Sequence, residues 1–263
     1  MKNLIKLSKI NKKLYISISS NPGKVGMKFY NSIFKKMRLN MTYRAIKPPS
    51  LHKIFILIRS GIIKGCSVSM PYKNKVYKYV DYFDEVSKNT KIINTIVNKR
   101  GKIYGYNCDY EAINKIFKKY KINKSKKILI YGSGSITNLL VYFLKKKQFR
   151  KITLKARNNK KVLGILKKYK LKKFTFNHYD ILINTSSLGM KGHPKRIMFS
   201  DENVKNAKLI IDFVNKPKFT NLIKLAKFYK KKYCDGIEIS SNQLKSQFKL
   251  YTGLNLQKKH YLI

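Results

Sequence analysis

Short apolar segments alternate with segments of helical periodicity along most of the chain. In the second half, K-I-L-I-Y (127–131), D-I-L-I-N (180–184) and K-L-I-I-D (208–212) read as buried strands separated by amphipathic stretches. Parallel strands need a crossover connection, and a helix is the usual one. The alternation therefore predicts an α/β fold with parallel sheets covered by helices.

With 263 residues the chain is long enough for two domains of ordinary size. The lysine-rich segment K-I-N-K-S-K-K (121–127) reads as the linker between the two halves. We expect residues 1–109 and 236–263 to form an N-terminal α/β substrate-binding catalytic domain. Residues 110–235 are expected to form a Rossmann-type nucleotide-binding domain.

The formal net charge of +49 could indicate a nucleic-acid-binding protein. However, only seven of the 60 basic residues are arginines, and the lysines are spread evenly along the chain. Proteins that read base edges rely on arginine, whose planar fork can bond a guanine twice. Lys, Asn, Ile and Tyr are abundant and Trp is absent, as AT-rich coding DNA would produce. We therefore expect a solvated lysine surface and no specific nucleic-acid partner, with polyanion binding as the alternative.

The lengths of the apolar runs and the positions of the cysteines argue against a membrane protein, a disulfide-bonded protein and a zinc protein. No apolar run reaches the roughly 18 residues of a membrane span, and the lysine-interrupted N-terminus lacks the apolar core of a signal peptide. Cys66, Cys108 and Cys234 lie far apart without a C-x-x-C pair, which argues against disulfides and zinc. We expect a cytoplasmic protein with neither a membrane partner nor a metal site.

The segment K-I-L-I-Y-G-S-G-S places two glycines directly after an apolar strand and before a helix. Gly132 permits a tight turn, and Gly134 lets the backbone approach a pyrophosphate that the helix N-terminus stabilises. Together with Ser133 and Ser135 they form the predicted phosphate-binding loop, although an ordinary strand-to-helix loop is the alternative. Thr137 takes the third fingerprint position, where Gly or Ala is usual, so we expect looser packing there.

The next predicted strand ends in K-A-R-N-N-K-K (155–161). Enzymes that use NAD usually place an acidic residue at this point to bond the ribose 2′-hydroxyl. Arg157 stands there instead and could pair with a 2′-phosphate, and Lys161 could add a second positive charge. The sequence therefore predicts NADP rather than NAD.

Three segments of the first half hold polar residues that packing alone does not explain. S-V-S-M-P-Y-K (67–73) ends a buried strand with a proline and a lysine. I-N-T-I-V-N (93–98) contains an Asn-Thr pair inside a predicted apolar strand. G-Y-N-C-D-Y (105–110) places Asn107 and Asp109 just before a predicted helix.

The lysine and aspartate of these segments suit acid–base chemistry. Lys73 could be one surface lysine of many and Asp109 a helix cap, but the chain has only 11 acidic residues. A lysine oriented by a carboxylate can exchange a proton with an alcohol while a cofactor carries the hydride. The four histidines lie outside all the motifs.

In order along the chain, these motifs resemble those of the shikimate dehydrogenase family. The resemblance covers S-V-S-M-P-Y-K, I-N-T, G-Y-N-C-D, G-S-G-S, A-R-N, N-T-S-S-L-G-M and D-G-I-E-I-S-S-N-Q, which together span nearly the whole chain. It implies that Lys73 and Asp109 are the catalytic pair. It also implies that Asn94 and Gln243 bond substrate hydroxyls and that Ser69 replaces a substrate-contacting Thr.

The same resemblance implies further binding residues. Asn107 matches the Asn of the family's N-T-D motif, in which Thr has become Cys108. A loop bordering the nicotinamide of NADP is implied by Asn184, Thr185, Ser186, Gly189 and Met190.

The chain departs from the family at the substrate carboxylate. The usual S-x-S-P motif, counted back from Tyr30-Asn31, corresponds to Lys24, Val25, Gly26 and Met27, so both serines are missing. The stretch is similar to a divergent shikimate-dehydrogenase-like branch. Lys24 could bind the carboxylate directly; Ser17 and Ser19 are alternative donors, and a solvent-exposed Lys24 with poor shikimate affinity is another possibility.

The resemblance implies reversible NADP-dependent oxidation of shikimate to 3-dehydroshikimate, a step of aromatic amino-acid biosynthesis. Two alternatives stay open: a paralogue acting on quinate or another cyclic hydroxy acid, and an inactive nucleotide- or polyanion-binding protein. The sequence leaves open whether the protein is a monomer or a homodimer.

Overall fold

The computed structural model describes residues 10–257 of the chain. The chain divides into two compact units. Unit 1 is Met1–Cys108 with Leu244–Ile263, and unit 2 is Asp109–Gln243. The chain passes from unit 1 to unit 2 after Cys108 and returns to unit 1 at Leu244.

Unit 1 is built on a six-stranded sheet with the strand order β2-β1-β3-β5-β6-β4. Its strands are β1 (Lys13–Ile18), β2 (Met41–Ile46), β3 (Ile63–Val68), β4 (Tyr82–Phe83), β5 (Thr95–Lys99) and β6 (Lys102–Tyr106). Its helices are α1 (Val25–Lys36), α2 (Leu51–Arg59) and α3 (Glu85–Thr90), with a short 3₁₀ turn at Tyr77–Tyr79.

The sheet of unit 1 is mixed rather than wholly parallel. Strand β1 pairs in parallel with β2 and β3, as the alternating pattern predicts. Strands β5 and β6 form an antiparallel hairpin, and β5 also runs antiparallel to β3. Arg100 and Gly101 turn this hairpin, and both have positive φ angles, which a tight two-residue hairpin turn requires.

An aromatic cluster packs against one face of this sheet. Tyr30 of α1 is fully buried and stacks on Tyr43 of β2, with ring centroids 4.4 Å apart. Tyr251 approaches the sheet at Gly65, where a Cβ would come within 2.7 Å of the tyrosine ring. The buried face of α1, formed by Tyr30, Ile33 and Phe34, therefore packs into this cluster, and glycine at position 65 makes room for Tyr251.

Unit 2 is a five-stranded, wholly parallel sheet with the strand order β11-β10-β9-β7-β8. Its strands are β7 (Ile128–Tyr131), β8 (Ile152–Lys155), β9 (Ile181–Asn184), β10 (Leu209–Asp212) and β11 (Lys232–Cys234). Its helices are α4 (Cys108–Lys119), α5 (Ser135–Lys146), α6 (Asn159–Lys168), α7 (Asp201–Asn206) and α8 (Asn221–Phe228). The final helix, α9 (Gly236–Thr252), begins in unit 2 and ends in unit 1.

The strand order creates a switch point beside β7. The chain passes from β7 to β8 on one side and then returns to β9 on the other side of β7. In open α/β sheets, ligands bind at the carboxyl ends of the strands where the order reverses in this way. The loops after β7 and β9 therefore lie side by side at the position expected for a ligand.

Among residues 10–257, no helix combines the length and the apolar character needed to cross a membrane.

Candidate active site

The loops that follow the strands of unit 1 are tied together through their backbones. Ser69 N–H donates to Ile18 O at 2.9 Å, just beyond the ends of β3 and β1. Ile93 N–H donates to Lys73 O at 2.9 Å, and Val68 N–H donates to Asn94 O at 2.8 Å. These bonds bring the backbones of Ser69, Lys73 and Asn94 into one region. Ser69 is exposed and Lys73 is half-buried.

Asn94 lies immediately before β5, not inside it as the sequence pattern predicts. Its side chain is fully buried. Its Oδ1 accepts hydrogen bonds from Thr95 Oγ1 and from Cys108 N–H, each at 2.8 Å. Its Nδ2 has no partner among the described residues. A buried donor without a partner is costly, so the oxygen of a bound ligand would satisfy it.

Asn107 and Asp109 come from the junction between β6 and α4. Helix α4 begins at Cys108, so Asp109 lies in its first turn rather than ahead of it. Asp109 is buried, with 8% exposure, and a negative side chain in this turn interacts favourably with the helix dipole. Asn107 Nδ2 donates to Ile92 O at 2.9 Å, which ties this junction to the segment that carries Asn94.

Asp84 supports the same junction and was not among the predicted site residues. Its Oδ1 accepts from Ser87 N–H at 2.7 Å as the cap of α3, and its Oδ2 accepts from Asn107 N–H at 3.0 Å. The sequence signal was available, because aspartate before a helix is a common cap. Its second bond joins segments 23 residues apart, which no local pattern reveals.

The remaining predicted substrate residues have different surroundings. Gln243 is half-buried in α9. Lys24 is exposed directly before α1, and its side chain makes no capping bond. Ser17, the alternative to Lys24, is half-buried in β1. Burial raises the pKa of the Tyr43 hydroxyl, which keeps it a neutral donor.

In unit 2, the glycine loop is held against the loop that follows β9. Gly132 has a φ of +148°, and a Cβ there would collide with Thr185 Oγ1. Thr185 N–H donates to Tyr131 O at 2.9 Å. A Cβ at Gly134 would meet nothing within 4 Å, and this residue caps α5. The two glycines thus serve different needs: close packing at 132 and open space in front of a helix N-terminus at 134.

Thr137, expected to loosen the packing, is fully buried and links the two loops. Its Oγ1 accepts from Gly134 N–H at 3.2 Å and pairs with Thr185 Oγ1 at 2.8 Å. The hydroxyl replaces the close contact of a glycine with hydrogen bonds. Ser133 and Ser135, the other predicted loop residues, are half-buried.

The loop after β9 is organised by Asp212, another residue absent from the predicted site. Its carboxylate accepts from Asn184 Nδ2 at 2.9 Å and from Thr220 Oγ1 at 2.6 Å. Asn184 Oδ1 in turn accepts from the backbone N–H and the hydroxyl of Ser186. Burial raises the pKa of the Asp212 carboxyl, although these hydrogen bonds oppose the rise. Asp212 thereby fixes the Asn184 amide, and that amide fixes the turn at Ser186.

The end of this loop makes a second turn. Gly189 has a φ of +85° and donates its N–H to Pro194 O at 2.8 Å. Met190, which is half-buried, donates its N–H to Ser187 O at 3.1 Å. The segment 184–190 is therefore held by bonds at both ends beside the glycine loop.

Two cations lie beyond the end of β8. Arg157 is exposed in the connection to α6, and Lys161 is exposed in the first turn of that helix. Asn158 caps the helix by accepting from Lys161 N–H at 2.9 Å. The connection 155–161 contains no acidic residue, so a 2′-phosphate would meet positive charge there.

Among residues 10–257 no group of three or more His, Cys, Asp or Glu side chains could hold a metal ion. The three cysteines are buried, and none of them forms a disulfide with another.

The parallel sheet, its glycine turn and the helix N-terminus at a switch point place unit 2 in the dinucleotide-binding class of α/β proteins. Residues 25–96 match the shikimate dehydrogenase substrate binding domain. A shikimate dehydrogenase-like protein of Haemophilus influenzae is 33% identical over 250 residues, 92% of each chain. This chain belongs to the shikimate dehydrogenase family.

Two further comparisons agree with this membership. The shikimate dehydrogenase (NADP(+)) of Aquifex aeolicus is 29% identical over 86% of this chain and 85% of its own. The solved structure of a shikimate 5-dehydrogenase-like protein superposes with a TM-score of 0.89, at 30% identity and 95% coverage of both chains.

Because the two loop glycines have different surroundings, we expect alanine at position 132 to affect stability and alanine at position 134 to affect cofactor binding. Gly132→Ala introduces a clash and a strained backbone, so we expect a lower melting temperature by several degrees. Gly134→Ala places its methyl group in open space, so the melting temperature should hold while KM for the dinucleotide rises about tenfold. Thermal unfolding and initial rates measure both. A wild-type melting temperature for Gly132→Ala, or a wild-type KM for the dinucleotide in Gly134→Ala, would contradict the assignment.

Proposed function

We propose that this protein catalyses the reversible NADP-dependent oxidation of shikimate to 3-dehydroshikimate. The observation that carries the proposal is the buried Asn94 amide, whose Nδ2 lacks a partner among the described residues and lies in the same loop region as Lys73. A carboxamide donor and a lysine suit an alcohol that must be held while it loses a proton. Family membership and the name of the Aquifex aeolicus relative support the same reaction.

The residues of unit 2 fit NADP. Gly134 leaves open space before the N-terminus of α5, which can stabilise a pyrophosphate. Arg157 and Lys161 supply positive charge where a 2′-phosphate would lie. We assign the segment 184–190 to the nicotinamide side, as the family resemblance implies. It follows β9, which lies on the opposite side of β7 from β8 and from Arg157. When bound, NADP supplies the group that accepts hydride from the alcohol carbon.

We assign the proton transfer to Lys73 and Asp109. Oxidation of a secondary alcohol requires the hydroxyl proton to leave oxygen as hydride leaves carbon. Lys73, half-buried after β3, is the proposed acid–base group, and Asp109 is the carboxylate of the pair. Ser69, Asn94, Asn107 and Gln243 are the proposed substrate-binding residues.

The replacement of the family's carboxylate-binding serines leaves a second candidate substrate. The two family serines are replaced by Lys24 and Gly26. A Cβ at Gly26 would lie 3.7 Å from the Tyr43 hydroxyl, which already bonds Ser67 Oγ at 2.7 Å. These two hydroxyls are occupied by each other, so Lys24 is the proposed replacement for the lost serines. Quinate carries the same carboxylate as shikimate and is therefore the second candidate substrate.

Removal of the proposed proton-transfer groups should abolish turnover with little effect on folding. Lys73→Ala and Asp109→Asn are each expected to lower kcat by about 10²–10⁴-fold, the range that general acid–base catalysis supplies. NADPH formation at saturating shikimate measures the effect. Lys75→Ala and Glu111→Gln are matched controls, because both residues are exposed and lie within two positions of the altered ones. Undiminished kcat in either active-site variant would remove that residue from the pair.

The cofactor assignment predicts a selective change at Arg157. Arg157→Ala should raise KM for NADP about tenfold while leaving KM for NAD unchanged, because only NADP carries the 2′-phosphate. Arg150→Ala removes an exposed arginine of the same unit and controls for the loss of one charge. If Arg157→Ala raised KM for NADP and for NAD equally, a phosphate-binding role would be contradicted. The same holds if Arg150→Ala raised KM for NADP as much as Arg157→Ala does.

A further inference from the structure

Gln247 lies at the centre of a buried hydrogen-bond network in unit 1. It belongs to α9 and has 1% exposure. Its Nε2 donates to Asn94 O at 3.1 Å and to Thr95 Oγ1 at 2.8 Å. Its Oε1 accepts from Tyr30 Oη at 3.0 Å and from Ser67 Oγ at 3.2 Å. Both ends of the carboxamide are therefore occupied.

Two backbone groups fix which atom donates in each hydrogen bond of the chain Gln247–Thr95–Asn94. The first is the carbonyl group of Asn94. The carbonyl oxygen of Asn94 can only accept, so the Gln247 atom that faces it must be Nε2. Thr95 Oγ1 also faces Nε2 and therefore accepts from it. The single hydroxyl proton of Thr95 then faces two acceptors, Asn94 Oδ1 at 2.8 Å and Cys108 Sγ at 3.3 Å. The amide oxygen is the closer and the stronger acceptor, so the hydroxyl donates to Asn94.

The second backbone group acts on Asn94 itself. The N–H of Cys108 can only donate, so the Asn94 atom that faces it must be Oδ1. Asn94 Oδ1 thus accepts two hydrogen bonds, one from the backbone N–H of Cys108 and one from the hydroxyl of Thr95. The orientation of the carboxamide leaves Nδ2, a donor, as the atom without a partner among the described residues.

We propose that Gln247 and Thr95 are positioning residues that hold Asn94 as a hydrogen-bond donor toward an oxygen of the substrate. Thr95 fixes the carboxamide plane of Asn94, and Gln247 fixes the direction of the Thr95 hydroxyl. The site accordingly selects an alcohol or carbonyl oxygen at this position and disfavours an ammonium group, which offers only donors. The identity of the substrate rests on the function proposed above, whereas the orientation of Asn94 does not.

The kinetic test compares two substitutions of Thr95. Thr95→Val removes the hydroxyl with little change of shape and should raise KM for shikimate about tenfold, because Asn94 keeps only one of its two donors. Thr95→Ser keeps the hydroxyl and should restore KM to within about twofold of wild type. KM for NADP should stay the same in both. Thr252→Val, which removes a hydroxyl bonded to Phe248 O outside the network, is the control.

The outcomes separate this inference from the proposed function. If wild type oxidises shikimate and Thr95→Val leaves its KM unchanged, or raises KM for NADP equally, the positioning role is overturned. If wild type does not oxidise shikimate, the proposed function fails, and the orientation of Asn94 is tested without a substrate.

The orientation of Asn94 can be measured without a substrate by NMR. The observable is the scalar coupling across the hydrogen bond from the Cys108 amide nitrogen to the side-chain carbonyl carbon of Asn94. We expect the coupling in the wild-type protein and a weaker one in Thr95→Val, if that variant folds. Absence of the coupling in wild type would overturn the inference whatever the activity or the stability of the variant.

Discussion

The carboxamide of Asn94 is the point at which the loops of unit 1 are joined. A fully buried amide must direct its oxygen at donors, and Asn94 finds them in the next residue and in the first residue of α4. Its backbone carbonyl accepts from Val68 and from Gln247, which lie in two other segments. Four segments of the chain therefore depend on one residue. Its Nδ2, which has no partner within residues 10–257, gives the region its proposed chemical use.

The corresponding constraint in unit 2 is the close contact between Gly132 and Thr185. Only glycine permits the loop after β7 to turn against the loop after β9 at this distance. Thr137 and Asp212 then complete the arrangement with hydrogen bonds rather than with apolar packing. In both units, residues with no proposed ligand contact determine where the proposed ligand-binding atoms point.

The sequence predicted the features that short patterns encode. The alternation of strands and helices, the glycine turn and the ordered motifs located strands β7 to β10 of unit 2 and the family. Elements such as α3, β4 and β11 were missed, because a polar six-residue helix and strands of two or three residues show no clear apolar pattern. Asn94 was expected inside a strand, since an apolar run does not show where pairing begins.

Local sequence patterns could not predict residues whose role depends on a partner far away in the sequence. Gln247 and Thr95 meet across 152 positions, and Asp212 reaches Asn184 across 28. The sequence contained these polar residues but not the contacts that give them a role. The mixed sheet of unit 1 likewise follows from the hairpin at Arg100 and Gly101, a turn that reverses the chain without a crossover helix.

We propose that this chain oxidises a cyclic hydroxy acid with NADP although it lacks the family's paired serines. The initial rate of NADPH formation by the purified protein, with shikimate and in parallel with quinate, tests this proposal. We expect saturable NADPH formation with shikimate that exceeds the rate with quinate. Binding of NADP without NADPH formation from either acid would contradict it.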